Sequence, residues 1–417
     1  MREKSVSILA AVFLAVIAAF VAGMWSTYKG WWPWQRMAEV QEMWRSYRAT
    51  GRLLPALTYA HRKPDMPDSF DSIHFPDEIA RGVWLIVRLD PDTAMYVADL
   101  VDGEGRLLGS RVIDYSRIDP AGSPTEFVRV AALLPDGSIL VVWDDAHGLA
   151  RLDACGRPLW ARTDQVYHHV IEKGVDGYWT WQAGVSNEGE DQRMVRFDPE
   201  TGEILESIDL IDDVILKSPA NRLAMRMPEG YRYDRTAAKG QRPDLFHPND
   251  VEELLPEMAA AFPQFAAGDL LISLRNTDTV AVIGRHDGRV KWIRYGPWLH
   301  QHDPDFQPDG TITVFSNNTD RFRSALMRID PATGATEEMF DGQGVDFDSF
   351  IMGNHQRLPN GNWMIVSTMQ GRVLEVAPDG RVLREFNNVI NRDYNAIVVH
   401  AEFHPEGYLK SVPRCAG

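Results

Sequence analysis

Short hydrophobic runs separated by glycine-containing turns recur through most of the chain. The segment PDGSILVVWDDAHGLARLDACGRPLW (135–160) contains a turn, two β-rich runs, a second turn and a closing run. Similar segments occupy residues 81–113, 175–208, 267–292, 308–340 and 359–386. Runs bounded in this way by turn residues predict antiparallel strands that are joined in a β-meander.

The six segments share a common spacing. Their closing residues lie roughly 47 positions apart with one exception, at Val112, Trp160, Ile208, Trp292, Met339 and Phe386. Four strands per unit at this period are typical of a propeller blade. The sequence therefore predicts an all-β, six-bladed β-propeller over residues 76–417, with a strand in 393–409 that closes the ring or packs beneath it.

The exception lies between Ile208 and Trp292, where the fourth blade carries roughly 35 extra residues, and long insertions in compact folds are often functional. We place a helical insertion at about 211–265 and expect it to border the mouth of the central channel. Within it, NDVEELLPEMAAAF (249–262) begins with a capping residue and continues with helix formers. This pattern predicts a helix that is interrupted at Pro256.

An uncharged, mostly apolar segment from Ser5 to Tyr28 precedes the repeats. It is long enough to cross a bilayer, which needs about 20 apolar residues. Aromatic residues typical of a membrane interface accompany its end, at Trp25, Tyr28, Trp31, Trp32 and Trp34. We therefore predict a retained single-pass anchor (1–30) in the inner (cytoplasmic) membrane, with the body in the periplasm or another extracytoplasmic space. A cleaved signal peptide is the alternative, since small residues occur at 21–23.

Residues 31–75 are predicted to form a juxtamembrane helix and a linker. Apolar side chains recur at spacings of three or four, at Met37, Val40, Trp44 and Tyr47, which predicts one stripe along a helix. In one interpretation this stripe packs on the chain's own body. In the other it forms a short dimerising stalk, and the protein is then a homodimer.

Composition narrows the classes of partner. A net charge of −16 argues against nucleic acid, whose phosphates would be repelled. Hydrophobic residues make up 44% of the chain, enough to bury a large core. The two cysteines, Cys155 and Cys415, are too few for a disulfide framework. They form either one bridge that ties down the C-terminal tail, in an oxidising compartment, or two unpaired buried thiols.

Histidines occur where the inner strands of three blades are predicted to begin. His169 lies seven residues before Asp176, and His302 lies seven residues before Asp309, so both occupy the same register position. His247 opens the corresponding segment of the fourth blade. We therefore expect the three imidazoles at one rim of the channel.

Other polar residues are predicted near the same rim. His355 follows the matching position of the last blade by two residues and so lies on the same strand face. The second strands return to this rim and carry Arg275, Asn317 and Thr368 seven residues beyond their turn glycines. Guanidinium and amide groups suit an oxyanion because they donate hydrogen bonds to its oxygens.

Four motifs appear in order through roughly residues 160–390: FHPND (246–250), GDLLISLRNTDTVAVI (268–283), QHD (301–303) with GTITVFSNN (310–318), and LPNGNWMIVS (358–367). In this order and spacing they resemble the bacterial arylsulfotransferase family, which moves sulfate between phenols without a nucleotide donor. The chain departs from that family at FSNN (315–318), where members commonly read FDNG.

The resemblance implies a six-bladed propeller with a transiently sulfated histidine at the channel mouth, here His302. It also implies that the family's HxN pair is His247 and Asn249, that its arginine is Arg275, and that its upstream histidine is His169 or His168. The expected reactants are a small phenolic sulfate donor and a phenolic acceptor, and no cofactor is expected. The further candidates for substrate binding are Asn317, His355 and Thr368.

Two other interpretations remain open from the residues alone. His300, His302, Asp303 and Asp305 could hold a metal ion, although Arg275 nearby would repel a cation, and we predict no metal site. A membrane-tethered propeller could also bind a ligand, or act as a scaffold for an envelope complex, without catalysis.

Overall fold

The computed structural model describes residues 2–29, 34–55, 57–143, 146–183, 192–227, 245–318, 323–411 and 415. The aromatic residues Trp31 and Trp32 and part of the predicted insertion (228–244) lie outside these ranges. The chain divides into two compact units, Met1–Tyr59 and Ala60–Gly417.

The first unit contains two helices, Arg2–Lys29 and Trp34–Thr50. Within the first helix, Ala10–Tyr28 is long and apolar enough to cross a membrane, a test that a signal sequence also passes. The second helix confirms the helical periodicity of the stripe. The four side chains of that stripe, Met37, Val40, Trp44 and Tyr47, are exposed.

The second unit contains six antiparallel sheets of four or five strands, which we number in chain order. Sheet 1 contains Gly82–Asp90, Met95–Asp102, Leu107–Ile113 and Val398–Pro405. Sheet 2 contains Val128–Leu133, Ile139–Trp143, Leu149–Leu152 and Pro158–Arg162. Sheet 3 contains Val166–Gly174, Gly177–Ala183, Gln192–Phe197 and Ile204–Asp209.

The remaining three sheets follow the same plan. Sheet 4 contains Pro248–Glu253, Leu270–Leu274, Thr279–Ile283 and Val290–Tyr295. Sheet 5 contains His302–Phe306, Ile312–Ser316, Ala325–Ile329 and Thr336–Asp341. Sheet 6 contains Asp71–Ile73, His355–Arg357, Trp363–Ser367, Arg372–Val376 and Val382–Asn387. These sheets and the N-terminal helix confirm the predicted all-β class with a helix at its start.

Smaller elements connect the sheets. Three short strands lie outside them, at Tyr59–His61, Val389–Asn391 and Tyr394–Ala396. Single helical turns are found at Tyr115–Arg117, Leu210–Val214, Ile215–Lys217, Pro219–Ala224, Ala259–Ala261, Arg275–Thr277, Gly342–Val345 and Thr368–Gln370. The described part of the predicted insertion is therefore only partly helical.

Hydrophobic clusters fill the spaces between neighbouring sheets. Residues of sheets 2 and 3, 3 and 4, 4 and 5, 5 and 6, and 6 and 1 pack together in five such clusters. Tryptophans are among the largest buried side chains, for example Trp84, Trp179 and Trp181. Because an aromatic side chain buries about 150–250 Å², each contributes roughly 4–6 kcal/mol of hydrophobic stabilisation as an upper limit.

The C-terminal part of the chain completes sheet 1. Val398–Pro405, the last strand of the unit, pairs with Gly82–Asp90, a strand near its beginning, so the two share one sheet. Beyond this strand, Cys415 forms a disulfide with Cys155. Of the two states that the sequence left open for the cysteines, the bridge is the one found.

The predicted helix over 249–262 is wrong. Pro248–Glu253 is a strand that pairs with Leu270–Leu274, and only Ala259–Ala261 forms a helical turn. Local helix propensity is a weak influence that tertiary partners override. Here Val251 and Glu253 turn towards sheet 3, where Glu253 accepts a hydrogen bond from Trp179.

Candidate active site

Two cavities are lined mainly by one edge strand from each sheet. We call these six the inner strands: Val398–Pro405, Val128–Leu133, Val166–Gly174, Pro248–Glu253, His302–Phe306 and His355–Arg357. The histidine cavity, of about 40 Å³, is lined by residues that include Arg129, His169, Asn249, His302 and Asp303. The acidic cavity, of about 800 Å³, is lined by residues that include Glu172, Glu252, Asp305, His355 and Glu402. Asp303 and Glu172 line both. The histidine cavity has room for a small group but not for an aromatic ring.

Irregular backbone positions the side chains of the histidine cavity. Five of the six inner strands shift register near their beginnings. The shifts span the cavity-lining residues Arg129, His169, Asn249, Asp303 and Val399. Such bulges re-aim side chains and are frequent beside active sites.

Left-handed backbone accompanies the bulges. His169, His247 and Asp303 have φ values of 69°, 46° and 54°. A non-glycine residue in this region costs of order 1–3 kcal/mol and persists only where its surroundings enforce it. His169 and Asp303 line the histidine cavity and His247 packs against His169, so the three strained residues lie in one region.

The hydrogen bonds of His302 define its tautomer. Asn317 Nδ2 donates to the carbonyl oxygens of Ser349 (2.7 Å) and Met352 (2.6 Å), which directs its Oδ1 towards His302. This Oδ1 lies 2.7 Å from His302 Nδ1 and therefore accepts a hydrogen bond from it. Because Nδ1 carries the proton, the lone pair of a neutral His302 is on Nε2.

Arg129 faces that lone pair. Its Nη2 lies 3.3 Å from His302 Nε2, and a guanidinium can only donate. Burial, reinforced by the positive charges of Arg129 and Arg275, holds the pKa of His302 well below its usual range, although the hydrogen bond to Asn317 acts in the opposite direction. His302 is consequently neutral near pH 7, with Nε2 available as a nucleophile.

The other two predicted histidines lie beside His302. The rings of His169 and His247 are 5.0 Å apart and nearly perpendicular. His168 Nδ1 lies 2.5 Å from His169 Nδ1, and His168 Nε2 lies 2.7 Å from Gln192 Oε1. Burial, Arg129 and the neighbouring histidines keep the pKa of His169 well below its usual range. His168 thus orients a neutral His169.

Asn249 and Arg275 complete the group that the sequence placed around His302. Asn249 Nδ2 donates to the carbonyl of Gln301 at 2.7 Å, while its buried Oδ1 has no hydrogen-bond partner within the described part of the chain. The backbone N–H of Arg275 donates to the carbonyl of His247 at 3.0 Å. The Arg275 charge is close enough to lower the pKa of His302.

Three predicted substrate-binding residues occupy other environments. Both polar atoms of the Asn317 amide are hydrogen-bonded to protein groups, Oδ1 to His302 and Nδ2 to the carbonyls of Ser349 and Met352. Thr368 is fully buried and lines neither cavity. His355 lines the acidic cavity, where its Nδ1 lies 2.9 Å from Asp303 Oδ2.

Arg129 was missed from the sequence, although a pattern could have found it. It lies seven residues before Asp136, the same offset that relates His169 to Asp176 and His302 to Asp309. The register rule therefore applies to sheet 2 as well, but there the residue is an arginine and not a histidine.

Carboxylates dominate the surroundings of the acidic cavity. Burial, followed by mutual repulsion, raises the pKa values of Glu172, Asp250 and Asp305 well above their usual range. Burial raises the pKa of Glu252 to about 8. Burial also opposes ionisation of Glu402, but hydrogen bonding from His400 and His404 prevails and lowers its pKa to about 2.

The raised pKa of Glu252 makes stability depend on pH. The folded chain keeps this proton up to about pH 8, whereas the unfolded chain releases it near pH 4.5. The protonated Glu252 therefore contributes to the free energy of unfolding. This contribution is complete below the unfolded-state pKa and is lost as the pH rises through about 8. Between about pH 6.5 and 9 the unfolding temperature of the wild type should fall further than that of Glu252→Gln. We expect the two falls to differ by about 2 °C or more.

Thermal unfolding in EDTA-containing buffer measures this difference. Glutamine retains an acceptor for the Phe306 N–H, which donates to Glu252 at 2.7 Å. The exposed Glu257→Gln is the matched control and should follow the wild type. Identical pH curves for Glu252→Gln and the wild type would contradict the prediction.

Comparison with known proteins gives one family match. The family model described as Arylsulfotransferase (ASST) matches residues 130–389, well over half of the chain. This range contains His169, His247, Asn249, Arg275 and His302. No curated protein sequence matches.

Several solved structures are similar to this chain at low sequence identity. A protein of unknown function from Bacteroides caccae is 12% identical, with 76% of this chain and 99% of that one covered and a TM-score of 0.49. TolB from Acinetobacter baumannii is 12% identical, with coverage of 78% and 67% and a TM-score of 0.46. A streptogramin B lyase is 10% identical, with coverage of 84% and 99% and a TM-score of 0.41. Similarity at this level carries no functional argument.

Proposed function

The chain belongs to the arylsulfotransferase family, and we propose that it transfers a sulfuryl group from a phenolic sulfate ester to another phenol through a sulfohistidine at His302. The observation that carries this proposal is the tautomer of His302. A neutral ring with Nδ1–H fixed by Asn317 presents the Nε2 lone pair into the histidine cavity. Neutral imidazole is a competent nucleophile near pH 7.

In the first half-reaction His302 Nε2 attacks the sulfur of the donor. The Nε2–S bond forms while the bond from sulfur to the phenolic oxygen breaks, and the phenolate leaves with that electron pair. The positive charge that develops on the His302 ring is stabilised through Nδ1–H, which donates to Asn317 Oδ1. We therefore assign Asn317 a positioning role and not a substrate-binding one.

Arg129, Arg275 and Asn249 bind the non-bridging oxygens of the sulfuryl group. Arg129 Nη2 is 3.3 Å from the nucleophilic nitrogen, so its guanidinium already lies beside the position that the sulfuryl oxygens take when sulfur approaches Nε2. Donors that are fixed before the reaction stabilise the transition state without reorganisation. Asn249 Nδ2 donates one hydrogen bond, to the carbonyl of Gln301, among the described residues, so its second N–H can donate to a sulfuryl oxygen.

His247 transfers the proton between the two phenols. Protonated His247 donates to the departing phenolate oxygen, and neutral His247 later accepts the proton of the incoming phenol. The oxygen of that phenol then attacks sulfur, the Nε2–S bond breaks, and His302 returns to its neutral form. His169 is held neutral and packs edge-to-face against His247, so we assign it to orienting that ring.

We also propose that the six sheets are the blades of a closed six-bladed propeller. Five interfaces between neighbouring sheets contain hydrophobic clusters. Across the sixth, Arg111 of sheet 1 donates to the carbonyl of Gly137 in sheet 2 at 2.6 Å. Sheet 1 combines the last strand of the unit, Val398–Pro405, with three strands from near its beginning, which is a common way to close such a ring.

The body is assigned to an extracytoplasmic space, with Ala10–Tyr28 as its membrane anchor. The apolar helix supports the anchor. The disulfide between Cys155 and Cys415 supports an oxidising compartment, since such bonds are rare where thiols are kept reduced.

The experiment that tests the function is rapid mixing with 4-nitrophenyl sulfate. Without an acceptor, we expect a burst of nitrophenolate that approaches one equivalent per chain and then stops. Addition of phenol should restore turnover. The steady-state kinetics should be ping-pong, because the sulfuryl group stays covalently bound to His302 after the first phenol leaves and before the second one reacts. Failure of the wild type to release phenolate from any aryl sulfate would favour the non-catalytic binding propeller.

A further inference from the structure

Asp303, Asp305 and His355 form a cluster of possible metal ligands on the side of the acidic cavity. Each offers one ligand atom, and these atoms lie within 4.8 Å of one another. His355 Nδ1 is 2.9 Å from Asp303 Oδ2, and His355 Nε2 is 3.4 Å from Asp305 Oδ2. The two aspartates belong to sheet 5 and the histidine to sheet 6, so the cluster bridges two sheets.

The hydrogen bonds around His355 leave Nδ1 as the ligand atom. Its Nε2 lies 2.7 Å from Thr313 Oγ1, which also accepts from Gln307 Nε2 at 2.8 Å. In the tautomer that a metal ligand requires, Nε2–H donates to Thr313 Oγ1 and the lone pair is on Nδ1, and metal-binding histidines commonly use their second nitrogen in this way. Nδ1 has no hydrogen-bond partner in the described residues, because the 2.9 Å approach of Asp303 lacks hydrogen-bond geometry.

His355 Nδ1 is thus an unpartnered polar atom on a side chain with no exposed surface. The backbone N–H of His355 donates to the same Asp303 Oδ2 at 2.5 Å, which holds the carboxylate beside Nδ1 without a hydrogen bond between the two side chains. A cation that bridges the two atoms satisfies both.

The carboxyl groups around the cluster of Asp303, Asp305 and His355 favour a cation there. Glu172 and Glu252 line the same cavity as the cluster, and Asp250 lies beside Asp303 in the histidine cavity. In the described ranges none of these three carboxylates, nor Asp303 or Asp305, forms an ion pair with lysine or arginine.

We propose that Asp303, Asp305 and His355 bind one divalent transition-metal cation, with Zn²⁺ and Mn²⁺ as the best matches. Imidazole and carboxylate together suit these ions, whereas sites for Ca²⁺ or Mg²⁺ use oxygen ligands. The ion joins sheet 5 to sheet 6 and fixes Asp303, which is the chain neighbour of His302. This proposal is independent of the sulfuryl-transfer reaction.

Calorimetric titration of the chelator-treated full chain in detergent, with Zn²⁺ and with Mn²⁺, tests the site. We expect one ion per chain and a higher unfolding temperature in its presence. Asp305→Asn and His355→Gln should each weaken binding by about tenfold or more. Glu337→Gln, an exposed position in sheet 5, is the matched control and should bind as the wild type does.

Two results would overturn the proposal: a wild type that binds neither ion, or an Asp305→Asn protein with wild-type affinity and stoichiometry. Circular dichroism of the metal-free variants separates lost binding from lost folding. If His355→Gln fails to fold, Asp305→Asn decides, since the Asp305 side chain is partly exposed and, among the described residues, forms no hydrogen bond that asparagine would break.

Discussion

His302→Ala is expected to lower sulfuryl transfer from 4-nitrophenyl sulfate to phenol by about four orders of magnitude or more, a loss of the size that follows removal of other enzymatic nucleophiles. Alanine removes Nε2, the nitrogen whose lone pair is set by the hydrogen bond from Nδ1–H to Asn317 and which lies 3.3 Å from Arg129. The burst of nitrophenolate should disappear together with turnover, because both depend on the same covalent step.

The matched control is His286→Ala, which removes an exposed histidine from the turn between the last two strands of sheet 4 and should leave turnover unchanged. Thermal unfolding of both variants shows whether the chain remains folded. A folded His302→Ala protein with wild-type turnover would exclude His302 as the nucleophile.

Arg129→Gln should lower kcat/KM by about 10²- to 10³-fold, the usual cost of removing one preorganised charged donor. Glutamine keeps a hydrogen-bond donor but loses the charge and the fork that matches two oxygens. Arg129→Lys should be intermediate, since lysine keeps the charge and cannot bind in a bidentate manner. Most of the loss should appear in kcat, because the interaction strengthens as charge develops in the transition state.

A second effect separates catalysis from folding. The positive charge of Arg129 lowers the pKa of His302, so its removal lets that pKa rise. The acidic limb of the pH–rate profile should therefore move to higher pH in Arg129→Gln. The exposed Arg157→Gln is the control for loss of an arginine. Unchanged kcat and an unchanged profile would mean that Arg129 plays no part in the reaction.

Much of the fold followed from local pattern. Most strands of the body are short apolar runs between turn residues, and the common spacing of these runs reveals the units. Several inner strands are polar instead, for example His302–Phe306 and Pro248–Glu253. The same register placed His169 and His302 near each other, because a fixed distance from a turn fixes the position along a strand. The rule was applied only to histidines, and for this reason it passed over Arg129.

The remainder depended on contacts between segments that are distant in sequence. Residues 249–262 have the composition of a helix, but Leu270–Leu274 offers Pro248–Glu253 a strand edge to pair with. Asn317 looked like a substrate ligand until its amide was found between Ser349, Met352 and His302. His355 was grouped with the catalytic rim, yet the inner strand of sheet 5 places Asp303 against it. None of these partners can be identified from spacing alone.

The most direct test of the central claim is mass spectrometry of the chain after the burst with 4-nitrophenyl sulfate. Quenching at neutral or alkaline pH preserves an acid-labile N–S bond, and digestion then locates the modification. We predict one added sulfuryl group per chain, on the peptide that contains His302, and its loss when phenol is added before the quench. A sulfuryl group on any other residue, or a full burst with an unmodified His302 peptide, would contradict the account.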